Sequence, residues 1–191
     1  MKIYLLFIFH ALFALSIAQA QHFNLGIKGG LNFYNIHNNN SVKYDPITGI
    51  HLGLLGHIHM DRQFAIQPEL VYSAQGAKIS SNSKIMLKYL NFPVLFQYMF
   101  DNGFRLQAGP QLGFLLNAKS KINSSNTDVK QNFKSVDVGL SAGIGYINTA
   151  SSIGFDLRYN AGLSNINVTK TINSMNNGLQ LGLFYLFNHS N

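Results

Sequence analysis

The segment FNLGIKGGLNFY, residues 23–34, sets Phe23, Leu25, Ile27, Gly29, Leu31 and Phe33 on odd positions, and Asn24, Gly26, Lys28, Gly30, Asn32 and Tyr34 on even ones. Successive side chains of a strand point to opposite faces, so this stretch reads as a strand with one apolar and one polar face. Taking the first strand as 22–34, the same beat returns at 48–60, 63–76, 86–100, 103–117, 134–146, 153–164 and 177–187. No helix-period segment lies between them. Alternating strands of this length, separated by turn residues, predict an all-β chain: an eight-stranded antiparallel up-and-down transmembrane β-barrel.

What precedes the first strand supports a membrane destination. Lys2 supplies a positive start, residues 3–17 are apolar apart from His10 and Ser16, and Ala18-Gln19-Ala20 is a small-x-small cleavage site. Residues 1–20 are therefore expected to be a signal peptide and 21–191 the barrel. The apolar run is short for a membrane helix of about 20 residues. The chain has no Cys, which excludes disulfides, a thiolate nucleophile and thiolate zinc sites. Charged residues make up 11% of it, below the usual quarter, yet no stretch after the signal is apolar enough to cross as a helix. Low charge, 17 Gly and 15 Phe suit a wall that alternates lipid-facing and lumen-facing residues.

The connections sort by length. Asp61-Arg62, Asp101-Asn102 and 147–152 are short, whereas 35–47, 77–85, 118–133 and 165–176 are long and polar. Outer-membrane barrels have short periplasmic turns and longer outer loops. The alternation places both termini in the periplasm and the barrel in the bacterial outer membrane. Within the strands, Lys28, Arg105 and Arg158 share the polar face with Glu69, Asp137 and Asp156. Isolated charges in a narrow interior are costly, so these six are expected to pair in the lumen. Lys88 breaks the pattern: parity turns it outward, near the outer end of its strand, unless the register slips there. Pro68, Pro93 and Pro110 lack a ladder donor and suggest bulges or kinks. Leu55, Leu87, Leu95, Met99, Leu115, Phe184 and Leu186 fall on the inward face, where they would fill an interior that eight strands leave only wide enough for side chains.

Several blocks also resemble a known family. FNLGIKGGLNF (23–33), QPELVYSAQGAK (67–78), LKYLNFPVLFQY (87–98), LQAGPQLGFLL (106–116), VGLSAGIGY (138–146), GFDLRYNAGLSNI (154–166) and LQLGLFYLF (179–187) occur in order. Together they are similar to the PorT-type outer-membrane β-barrel domain family. The resemblance covers nearly the whole chain after the signal. It implies an outer-membrane barrel, with protein secretion and gliding as the process tied to the named member. Asn91 stands where members often carry an acidic residue.

Candidate chemistry is sparse. His51, His57 and His59 share a face, so a lumen metal cluster is one reading and a hydrogen-bonded polar interior the other. No G-x-S-x-G elbow occurs, and His37 is the single His in the outer connections, so no enzymatic activity and no cofactor are expected. The outer connections and their flanks carry Lys43, Lys78, Lys84, Lys88, Lys119, Lys121, Lys130, Lys134 and Lys170 against Asp45 and Asp128. That suits lipopolysaccharide phosphates or an acidic partner. No basic helix or aromatic-basic sheet points to nucleic acid. The leading expectation is a structural or interaction role at the envelope, with outer-membrane lipid, lipopolysaccharide or an envelope protein as partner. The alternatives are a narrow channel for small solutes, a membrane-embedded enzyme acting on lipid or peptide, and a soluble ligand-binding barrel.

Overall fold

The computed structural model describes residues 23–39, 44–169 and 172–187; the signal-peptide segment, Lys43 and Lys170 lie outside them. Nine strands follow one another: β1 (Phe23–Asn38), β2 (Asp45–His59), β3 (Phe64–Ser80), β4 (Ser83–Met99), β5 (Phe104–Ile122), β6 (Ser125–Asp128), β7 (Val136–Asn148), β8 (Ile153–Gly162) and β9 (Ser174–Leu186). Each barrel strand pairs with its antiparallel neighbours, β1 closes on β9, and β5 pairs with both β4 and β7. Eight strands thus form a closed ring. The short β6 sits beyond it, as the hairpin partner of the far end of β5.

The period-2 pattern decides which face is which. In β1 most odd residues are exposed and most even ones buried. The exposed face is apolar all around the wall, with Leu52 67%, Leu183 65% and Ile50 61% accessible. Buried positions are mostly polar, the reverse of a water-soluble protein. On β4 the outward apolar run from Leu90 to Phe100 covers about 33 Å of strand, or about 23 Å of height at a tilt of about 45°. That matches the hydrocarbon band of an outer membrane. At the rim with the short turns, outward rings touch edge-on: Phe64 with Tyr98, Phe104 with Tyr146, and Tyr185 with Phe187. An aromatic girdle suits a membrane–water interface, and the tyrosines among these rings can set the apolar body inward and the hydroxyl toward the headgroups. Phe23 and Phe187, the first and last described residues, are at this same rim.

Strand ends differ from the sequence reading at the opposite rim. The connection expected at 77–85 is a hairpin whose turn is only Ser81 and Asn82. The one expected at 118–133 begins as a continuation of β5, turns near Asn123, and returns as β6. β3, β4 and β5 therefore run 17, 17 and 19 residues, whereas β8 has 10. Above the apolar belt the outward face meets water and headgroups instead of hydrocarbon, so the alternation that marks strands inside the belt weakens and the segments read as loops. β7 begins at Val136, leaving Lys134 in the connection.

The three prolines expected to create bulges create none. Register is unchanged across Pro68, Pro93 and Pro110. A missing donor removes a hydrogen bond, but a bulge requires an extra residue. The shifts fall elsewhere, one of them between Lys88 and Tyr89 against β5. There Lys88 opposes Asn117 while Tyr89 opposes Leu115, so Leu116 is the inserted residue. Lys88 points outward, and Asn117 shares its face rather than the inward one expected from parity.

Glycines make room inside. Gly178 lies directly beneath the ring of the buried Tyr34, where a Cβ would strike the ring atoms. Gly178→Val is expected to destabilise the barrel by about 1–3 kcal/mol through overpacking, read as a lower urea midpoint of the folded band on unboiled gels. An unchanged midpoint would show that Tyr34 has room to move aside.

Candidate functional site

The lumen is built in layers, each from inward positions on several strands. Its centre is ionic. Lys28 of β1 donates to Glu69 Oε2 of β3 at 3.3 Å and to Asp156 Oδ2 of β8 at 3.2 Å. Arg158 grips Glu69 with two parallel bonds of 2.8 Å and reaches Asp156 at 2.9 Å. These four side chains are almost wholly inaccessible. The bidentate fork is the strongest ion-pair geometry, and at this burial it is also the one most costly to break.

Glutamines extend the cluster. Gln67 donates to Glu69 Oε1 at 2.6 Å, Gln97 donates to both Gln67 and Gln107 at 3.0 Å, and Arg158 also reaches Gln107 at 3.2 Å. Arg105 joins only through Gln67, at 3.4 Å, and lays its guanidinium over the Phe184 ring, 4.1 Å from the centroid. Of the six charges expected in one network, five gather at mid-barrel. Asp137 stands apart near the rim with the long connections, accepting from Ser164 Oγ at 2.7 Å. It lies at the start of β7, too far along the barrel axis to meet Arg105. The bridging glutamines carried no signal beyond their inward parity.

Above the charges lies a neutral polar layer. Asn32 donates to Ser73 Oγ at 2.9 Å, and its carbonyl oxygen accepts from Gln180 and lies 3.0 Å from His51 Nδ1. Asn176 bonds to Gln75. A void beside Tyr34, Gln75, Gln111 and Asn160 measures about 10 Å³, about one water. The three histidines do not converge. His51 is six residues from His57, about 20 Å along the strand, while the His57 and His59 rings meet edge-on at 4.6 Å. Among the described residues no group of three or more His, Cys, Asp or Glu could hold a metal ion.

Both ends of the lumen are apolar. Leu55, Phe184 and Leu186, with Ile147 against them, fill the short-turn end. Ile36, Ala77, Leu87, Tyr89, Leu115, Ala118 and Ile166 fill the other, with Val129 and Phe133 against them. Leu95 is buried as expected, and Met99 is half-buried. Ile166 was missed from sequence because it sits in a connection without alternation. It is delivered by backbone ties between two connections: Lys134 N–H to Ile166 O at 2.7 Å, and Val168 N–H to Asn132 O at 3.0 Å.

Outside the lumen, the long-connection rim carries the basic residues. Lys78, Lys84 and Lys121 are consecutive cross-strand partners on β3, β4 and β5. Lys119 lies opposite Met86, and Lys130 and Lys134 lie in the connection after β6.

A closed eight-stranded ring with an apolar exterior and a filled, charge-paired interior defines a small transmembrane β-barrel of the bacterial outer membrane. The chain belongs to the family described as outer membrane protein beta-barrel domain, whose sequence profile matches residues 18–168. Its fold is similar to that of Neisserial surface protein A (TM-score 0.61, 12% identity, 85% of this chain and 97% of that one). It is also similar to Ail, the attachment invasion locus protein of Yersinia pestis (TM-score 0.56, 15% identity, 86% and 98%). Ail in complex with the heparin analogue sucrose octasulfate gives 0.54 at 15% identity, over 86% and 99%. None of the curated proteins matches the chain.

Proposed function

We propose that this protein is a non-conducting, non-enzymatic barrel that acts through its long-connection rim on molecules at the cell surface. The observation that carries the reading is the lumen: ionic at the centre, stoppered by apolar side chains at both ends. A barrel filled in this way keeps its working surface outside. In the orientation we propose, residues 1–20 are removed, both termini and the short turns face the periplasm, and the lysine-bearing rim faces outward. A polyanion suits that rim, and the capture of sucrose octasulfate by Ail, a barrel of similar fold, supports a polyanionic class. The blocks quoted above also support a place among PorT-type proteins, which makes a secretion-linked envelope complex the protein partner to seek.

Reconstitution into planar bilayers tests the reading. The expected record shows no unit conductance steps at 1 M salt. Reproducible, ion-selective steps would overturn it in favour of a narrow channel.

A further inference from the structure

We propose that the outward face of the β3–β4–β5 extension binds the phosphate groups of glycolipids in the outer leaflet beside the barrel. The inference rests on the orientation proposed above and names the ligand of that rim. The first observation is continuity. On β4 the outward column runs Phe96, Val94, Phe92, Leu90 and then Lys88, Met86, Lys84; the side chains change from apolar to cationic at one level. On β5 the change falls at the same level: Leu112, Phe114 and Leu116 give way to Asn117, Lys119 and Lys121. These lysines occupy the same face as the lipid belt, one step above it. They point sideways, to headgroup height, and not up into solvent.

The second observation is charge. Lys78, Lys84 and Lys121 lie directly opposite one another across three strands. Like charges so placed destabilise a sheet unless an anion lies between them. Asp45 is the cross-strand neighbour of Lys78 and Asp128 that of Lys119. Yet among the described residues no ion pair joins these lysines to a carboxylate; the exposed pair is Arg62–Asp101, at the other rim. Lys78, Lys84 and Lys121 line a cleft of about 490 Å³ together with the hydroxyls of Thr48, Ser81 and Ser83. Ammonium groups and hydroxyls together are donors suited to a phosphate. The third observation is asymmetry. Above the belt, β1 and β9 turn outward Asn35, His37, Asn177 and Met175, with no Lys or Arg. The basic face is a crescent on one side of the barrel, which fits a lipid lying against that side.

The test uses the mature chain folded in zwitterionic lipid nanodiscs doped with bisphosphorylated lipid A or the same lipid stripped of phosphate. Lipid bound after detergent-free purification is counted by native mass spectrometry. The expected result is selective retention of the phosphorylated lipid, weakened at least about tenfold by combining Lys84→Gln, Lys88→Gln, Lys119→Gln and Lys121→Gln, since each basic residue near an anionic surface adds to the attraction. Arg62→Gln, at the other rim, is expected to leave retention unchanged. Equal retention of both lipids, or undiminished retention by the fourfold variant, overturns the proposal. Displacement by inorganic phosphate at matched concentration also overturns it, because the ligand is then a soluble anion. Should the fourfold variant not fold, the two lipids compared on the wild-type chain decide. A barrel that passes no current yet ignores lipid phosphate ends this inference and leaves the rim's wider role standing.

Discussion

Glu69→Gln is expected to destabilise the barrel by about 3–5 kcal/mol, the cost of removing one member of a buried ion cluster. Glu69 holds Arg158 through two bonds, Lys28 through a third, and accepts from Gln67. At mid-lumen three cations, Lys28, Arg105 and Arg158, face two carboxylates, Glu69 and Asp156. Neutralising Glu69 raises the excess from one positive charge to two, in a space sealed from water at both ends. The measurement is a urea titration of the refolded protein in detergent, following the fast-migrating unboiled band. A companion replaces all five clustered charges together: Lys28→Met, Glu69→Leu, Arg105→Met, Asp156→Leu and Arg158→Met. It is expected to recover most of the loss, because well-filled apolar replacements of buried ion clusters are often neutral or stabilising. A Glu69→Gln cost below about 1 kcal/mol would mean that water reaches the cluster and that the stoppers leak.

Leu183→Arg carries the second large effect, a loss of stability that a soluble protein would not show. Leu183 is 65% exposed and sits between Gly29 of β1 and Phe155 of β8, in the middle of the apolar belt. On a water-soluble barrel an arginine there would be tolerated within about 0.5 kcal/mol. In a bilayer, a lipid-facing arginine near the midplane costs about 2–4 kcal/mol. The same titration in phospholipid vesicles measures it. Ser151→Arg, in a short turn outside the belt, serves as the reference and is expected to change little. Equal midpoints for the two variants would remove the lipid from around Leu183.

The eight barrel strands were legible in the sequence because the hydrocarbon band imposes a face on each residue. Phe23 to Phe33 and Leu179 to Phe187 had to alternate, and the structure keeps that parity. Legibility ended where the lipid ends. Ser80 to Lys84 and residues 118–128 are strand or tight turn, yet they read as loops, since an outward face without hydrocarbon selects for no apolar pattern. Inward charge was also readable, residue by residue, but height along the axis was not. Asp137 shares the parity of Asp156, and only the stagger of the strands puts one with Ser164 and the other with Lys28 and Arg158. The Leu116 insertion leaves β4 untouched, where plain alternation turns Lys88 outward between the buried Leu87 and Tyr89; its effect is on β5, where the inward parity of Arg105 and Gln107 ends before Asn117.

The pairing of β1 with β9 bears on how the molecule is assembled. The two strands join the start of the barrel sequence to its end, from Gly26 opposite Leu186 to Asn38 opposite Ser174. Lys28 arrives with the first strand, Glu69 with the third, and Asp156 and Arg158 with the eighth, at separations of 41, 89 and 128 residues along the chain. A half-zipped sheet would hold Lys28 and Glu69 without Arg158 and Asp156 and leave two open edges in contact with lipid. The ions and the seam are therefore satisfied in the same event. Membrane insertion of this chain is expected to be all-or-none, with the last strand acting as the trigger that commits the whole ring.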